Sequence, residues 1–167
     1  MRKYAGFGLM ILVSTLVMLG LMYLNVYRAA DVHFSQTRLF MALIMGAAMA
    51  VVMLAFMRTM YDNRRANVGI LVGSVAVFGL ALWLVRSQDT VGDVAWMKAM
   101  IPHHSIAILT SERAEITDPR VRKLADEIIA SQRREIAEME ALIRDIRRNG
   151  SQGTAVLAPH PAGDRPG

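Results

Sequence analysis

Two adjacent histidines close the run Met97-Lys98-Ala99-Met100-Ile101-Pro102-His103-His104, in a chain that holds only four histidines. At about 100° per residue on a helix, Met97, Met100 and His104 project within roughly 60° of one another. His103 flanks Met100 on its other side. Thioether and imidazole on one helical face form a donor set for soft metals, Cu(I) above all. The plainer reading of the same residues is a methionine-rich core face with one hydrogen-bonded histidine. Cysteine is absent, which excludes thiolate ligands, thiol nucleophiles and disulfides.

These residues need a helix under them, and the surrounding signals predict two. Thr90 followed by Asp93 resembles a capping box, and the first helix should run to about residue 115. Pro102 lies inside it, lacks an N–H and crowds the preceding turn, so a kink is expected just before the histidines. Asp118 is a good N-cap and Pro119 suits the first helical position, which starts a second helix reaching about residue 148. Its seam reads Val121, Ala125, Ile128, Gln132, Glu135, Met139, Leu142 and Ile146, in steps of four and three. Glu140 with Arg144, and Arg134 with Glu138, are placed to pair on its solvated side.

A turn this short makes the two helices antiparallel. Counting outward from Asp118 brings His104 opposite Gln132, and Met97 and Met100 opposite the turn from Glu135 to Met139. The polar seam positions therefore meet the histidine pair. From Gly150 onward Gly, Pro, Ala and Ser dominate without periodicity, and residues 150–167 read as a disordered tail. His160 within it reads as solvated.

The first half of the chain is of another kind. Residues 4–24, 39–57 and 68–85 are apolar runs with no internal charge, each long enough to cross a bilayer. The first run exceeds an ordinary signal-peptide core, and residues 25–30 make a poor cleavage site, so it reads as an uncleaved anchor. The net charge of +5 raises the question of nucleic acid, but its distribution answers it. Residues 1–86 carry eight Lys/Arg against two Asp/Glu, whereas residues 87–167 carry eleven against twelve. The basic surplus belongs to the membrane half, and no basic face is left for nucleic acid. Arg2, Lys3, Arg58, Arg64 and Arg65 favour a cytoplasmic N-terminus and second loop, which puts the first loop and everything after residue 86 outside. The expected architecture is all-α, with a membrane region (1–86), a helical hairpin (87–149) and a tail (150–167).

Three blocks, Met100-Ile101-Pro102-His103-His104, Asp118-Pro119-Arg120-Val121-Arg122-Lys123-Leu124-Ala125 and Gln132-Arg133-Arg134-Glu135-Ile136-Ala137-Glu138-Met139, agree in order and spacing with a known family. Over residues 92–147 the chain resembles the bacterial domain-of-unknown-function family 305. The resemblance implies a ferritin-like helical fold and an association with copper handling in the bacterial envelope, beside other copper-handling proteins. The implication falls on Met97, Met100, His103, His104 and Met139, with Gln132 and Glu135 beside them. The resemblance says nothing of the membrane half, whose three apolar runs give the expectation of a multi-pass protein, placed in the bacterial inner membrane. Two departures count against a complete site. Thr110 stands where relatives often carry Met, and the chain has one hairpin where many members have two. A single hairpin is half of a four-helix bundle, so a homo-oligomer is expected.

Against this Cu(I)- or Ag(I)-binding reading stands a scaffold whose hairpin only mediates oligomerisation or partner binding. An enzyme is the weakest fit. No Glu-x-x-His pair, phosphate-binding glycine loop, nucleophile elbow or zinc-protease motif occurs, and no residue is assigned a catalytic role. Met41, Met45, Met49, Met53 and Met57 recur every fourth residue in the second apolar run. Helix packing beside Gly46, Ala47 and Ala50 is their ordinary role, and a soft-metal relay the alternative.

Overall fold

The computed structural model describes residues 2–153 and 155–157, and among these the chain is all-α. Five α-helices follow in order: α1 (Arg2–Leu21), α2 (Gln36–Phe56), α3 (Arg64–Ser87), α4 (Asp93–Arg113) and α5 (Pro119–Asn149). A 3₁₀ turn, Ala29–Asp31, lies between α1 and α2.

The first three helices are long and apolar enough to span a membrane. They also expose apolar side chains freely, among them Leu12, Leu16, Val72, Val75 and Leu80. A helix with apolar residues on its outer faces suits lipid rather than water. Their ends begin and stop where short polar side chains take over the backbone. Ser35 caps α2 by accepting from the Arg38 N–H, and Asn63 caps α3 by accepting from the Ala66 N–H. Gln88 ends α3 in the left-handed conformation (φ 58°), and its side-chain amide donates to the Val85 carbonyl at 2.7 Å.

α2 is the central element and packs along both α1 and α3. Small residues allow this approach: Ala42, Gly46, Ala47 and Ala50 are all buried. A Cβ at Gly46 would collide with the Thr15 hydroxyl, so α1 crosses α2 where only glycine fits. Of the methionine series, Met53 and Met57 pack with Met10 of α1 against Phe7 and Tyr61. At least this end of the series serves helix packing.

α4 and α5 form the expected antiparallel pair. The Asp118 carboxylate accepts from the Arg120 N–H at 2.8 Å and Pro119 occupies the first helical position, as their chemistry dictates. The arginine side chain also pairs with Asp118 and holds that carboxyl below the usual range. α4 departs from expectation at its start. Its N-cap is Gly92 with no side-chain cap, and Thr90 lies in the turn that follows Gln88, too early to reach the first free N–H groups. The helix continues on both sides of Pro102, whose ring is buried.

The α5 seam needs a larger correction. Ala125, Ile136, Met139 and Ile143 are buried and Ile129 and Ile146 pack beside them, whereas Val121 and Leu142 are exposed. The steps of four and three are present, but the phase is rotated by about one position from Ile128, Glu135 and Leu142 onto Ile129, Ile136 and Ile143. Burying Ile136 and Ile143 in place of Glu135 and Leu142 removes more apolar surface from water and leaves the carboxylate wet. On the solvated side Glu140 pairs with Arg144 at 3.8 Å. Arg134 and Glu138 do not pair among the described residues, where Arg122 with Asp126 and Lys123 with Glu127 do.

Residues 150–153 and 155–157 form no helix or strand. The rest of the expected tail, His160 included, lies outside the described residues.

Candidate metal centre

The hairpin core is built from Met97, Ile101 and Ile108 of α4 against Ile136, Met139 and Ile143 of α5, all buried, with Met100 partly buried against them. Ile101 is fully enclosed, a burial worth about 1.5–3 kcal/mol. Two of the expected soft donors, Met97 and Met139, are therefore packing residues first. Their sulfurs lie in the same small core.

His104 sits at the edge of this core. Its Nδ1 is 3.0 Å from the carbonyl of Met100, one turn back along α4. Its Nε2 is 2.8 Å from Glu135 Oε2 across the hairpin. Both neighbours are acceptors, so the arrangement is satisfied in full only when both ring nitrogens carry hydrogen. The other oxygen of Glu135 accepts from the Ser131 hydroxyl at 2.6 Å. Together that hydroxyl and the imidazole hold the Glu135 carboxyl below the usual carboxylate range.

The histidine's partner is thus Glu135 rather than Gln132. Level along the hairpin does not separate the two; side does. At about 100° per residue Gln132 falls on the stripe of α5 that carries Met139 and Ile143, whereas Glu135 lies to one flank of it and meets His104 there. His103 is exposed, and its ring centroid stands 6.2 Å from that of His104. The structure brings together Met97, Met100, His104, Glu135 and Met139, and leaves His103 outside them.

No group of three or more His, Asp or Glu among the described residues is arranged to hold a metal. Met97, Met100 and Met139 pack in one core, and His104 is hydrogen-bonded beside Met100, a surrounding with few of the oxygens that Mg²⁺ or Ca²⁺ takes. With Nδ1 on the Met100 carbonyl, Nε2 is the ring nitrogen that faces Glu135.

A second constellation was invisible in the sequence. Asp31, 1% exposed, accepts from the Ser105 hydroxyl at 2.6 Å and from the Arg28 guanidinium at 3.0 Å. Ser105, fully buried, accepts in turn from the Tyr27 N–H at 2.8 Å. Arg28, next to the Asp31 carboxylate, is held cationic more firmly than an isolated arginine. This clamp fastens the loop between α1 and α2 to the residue after His104, so loop and hairpin share one end of the helical bundle. A cleft of about 280 Å³ lies beside it, bordered by Tyr27, Arg28, Ile108, Arg133 and Glu140. The one hint in the sequence was that Asp31 is the only acidic residue before Asp62.

The hairpin consequently has two unlike faces. The clamp covers the Ser105 side. The flank that carries His104 and Glu135 is bare, with Trp96, Leu124 and Leu142 exposed at 51%, 56% and 46%.

Comparison with known proteins places this half of the chain. The chain is 32% identical over 102 residues to "Uncharacterized protein L153" of Acanthamoeba polyphaga mimivirus, an alignment covering 57% of this chain and 67% of that protein. No solved structure matches the chain. Residues 88–165, which contain the whole hairpin with its His104–Glu135 pair, match the family described as "Domain of unknown function (DUF305)", and the chain belongs to that family.

Proposed function

We propose that the protein is a membrane-anchored component of the bacterial envelope that binds Cu(I) or Ag(I) through its hairpin, in copper homeostasis or resistance. The single observation behind this is the setting of His104. One ring nitrogen is fixed on a backbone carbonyl, and the other is shared only with a replaceable carboxylate, beside the core that holds Met97, Met100 and Met139. The copper association of the family it resembles points the same way. Cu(I) titration of histidine and methionine variants tests the site itself.

The envelope placement rests on the Lys/Arg distribution together with the clamp, which keeps the first loop and the hairpin at one end of the helices. With the N-terminus cytoplasmic, that end lies outside. A reporter active only in the cytoplasm, fused after Gly150, is expected to give no signal. A strong signal would reverse the orientation and remove the envelope reading.

A second copy covers the bare flank in this proposal, completing a four-helix bundle with the two His104–Glu135 pairs near its centre. Leu124, Ile128, Glu135 and Leu142 fall within roughly 40° of one another on α5, and Trp96 flanks Met100 on α4. Leu142→Asp would place a charge in that interface and should weaken association of the full chain in detergent by about tenfold or more. Unchanged association, or a wild type that is monomeric at high concentration, would contradict it. The scaffold reading, with no metal, draws on the same exposed flank and predicts association without Cu(I) binding.

A further inference from the structure

At the end of the helices opposite the hairpin, α2 and α3 diverge around a groove of about 530 Å³. Its walls are apolar and come from both helices, Val51 and Leu54 on one side, Val68 and Leu71 on the other. Val68 and Leu71 are exposed on the surface that faces lipid if these helices span a bilayer. Arg58 and Arg64 stand at its mouth with Asp62. Val51 and Leu71 each lie seven residues from the nearer arginine, a depth of about 10 Å.

The surrounding charge is one-sided. Arg2, Lys3, Arg58, Arg64 and Arg65 gather at this end against Asp62 alone, and none of the five forms an ion pair among the described residues. The loop that carries the arginines is nevertheless held firmly. The Tyr4 hydroxyl accepts from the Asn63 N–H at 3.0 Å and donates to the Asn67 side chain at 2.9 Å. Asn67 in turn donates to the Tyr61 carbonyl at 2.8 Å. The Tyr61 ring, buried, packs against Tyr4 and Phe7 at centroid distances of 5.2 and 5.3 Å. Polar side chains from α1, the loop and α3 thus hold the loop in place beside the apolar slot, and Arg58 and Arg64 line that slot without an ion-pair partner among the described residues.

We infer that this groove is a binding site for an anionic phospholipid, with an acyl chain along the α2–α3 walls and the headgroup phosphate between Arg58 and Arg64. Charge complementarity and the joining of two arginines to apolar walls in one groove select that occupant. A free phosphate would leave the apolar walls without a role. Basic pockets between membrane helices recognise anionic headgroups in this way, with each arginine contributing about a fivefold preference.

The test uses the full chain, purified in mild detergent and offered equal amounts of phosphatidylglycerol and phosphatidylcholine, with retained lipid read by native mass spectrometry. Wild type should retain phosphatidylglycerol in clear excess. Arg58→Gln with Arg64→Gln should lower that excess roughly tenfold or more, whereas Arg2→Gln with Lys3→Gln, an equal charge loss away from the groove, should change it less than about twofold. Val68→Trp, which narrows the groove at an exposed position and leaves every charge in place, should lower retention as well. Equal retention of the two lipids by wild type overturns the proposal. So does an equal effect of the two charge pairs, which would mean bulk attraction, or wild-type retention by Val68→Trp.

Discussion

His104→Ala is expected to weaken Cu(I) binding by about 100-fold or more, the loss that follows removal of a ligand rather than of a supporting contact. The measurement is a competitive titration of the full chain under reducing conditions. Met100→Leu nearly conserves volume and should fold normally, so its loss of affinity reports the thioether. His103→Ala should have the smaller effect of the two histidine changes, because His103 is exposed and apart from the core methionines. The protons give an independent readout. Nε2 must give up its Glu135 partner and offer a free lone pair to ligate, so protons compete with the metal and affinity should fall as pH falls. Thioether ligation has no such dependence. Wild-type affinity in both His104→Ala and Met100→Leu would eliminate the site and leave the scaffold reading in possession of the hairpin.

Asp31→Ala should lower the stability of the docked hairpin by about 2–3 kcal/mol, although Asp31 lies far from every donor in sequence. Its removal leaves the buried Ser105 hydroxyl without its acceptor. Arg28, 58% exposed, returns to solvent at little cost, so the penalty falls on the serine side of the clamp. Asp31→Asn keeps an acceptor oxygen and should lose less than half as much. Denaturant unfolding in detergent, followed by tryptophan fluorescence, measures both. A loss below about 0.5 kcal/mol for Asp31→Ala would show that apolar packing alone seats the loop.

What could be read in advance depended on the range of the interaction. The three apolar runs and the Asp118-Pro119 start of α5 are local, and the helices follow from them to within a few residues. The α5 seam is a competition among near-equal phases. Ile128, Glu135 and Leu142 fit a repeat of four and three as well as Ile129, Ile136 and Ile143 do, and only the packing of α4 decides between them. The meeting of His104 with Glu135 rather than Gln132 follows from that same rotation. Asp31 carried no local mark of burial. A short loop containing one acid reads as solvated, and the serine that buries it belongs to a helix formed much later in the chain.

That separation orders the protein's own assembly. Asp31 and Ser105 are 74 residues apart, and the whole of α2 and α3 lies between them. At roughly 5–20 residues per second, the ribosome takes about 4–15 s to supply the serine after the aspartate. During that interval Asp31 is a hydrated carboxylate on an unclamped loop, and only Tyr23, which accepts from the Ser35 N–H and lies under the Arg38 guanidinium, ties the end of α1 to the start of α2. The hairpin is therefore the last piece to arrive and also the piece that closes the first loop. A nascent chain arrested before Ser105 would have its helices yet lack the lock between its two halves.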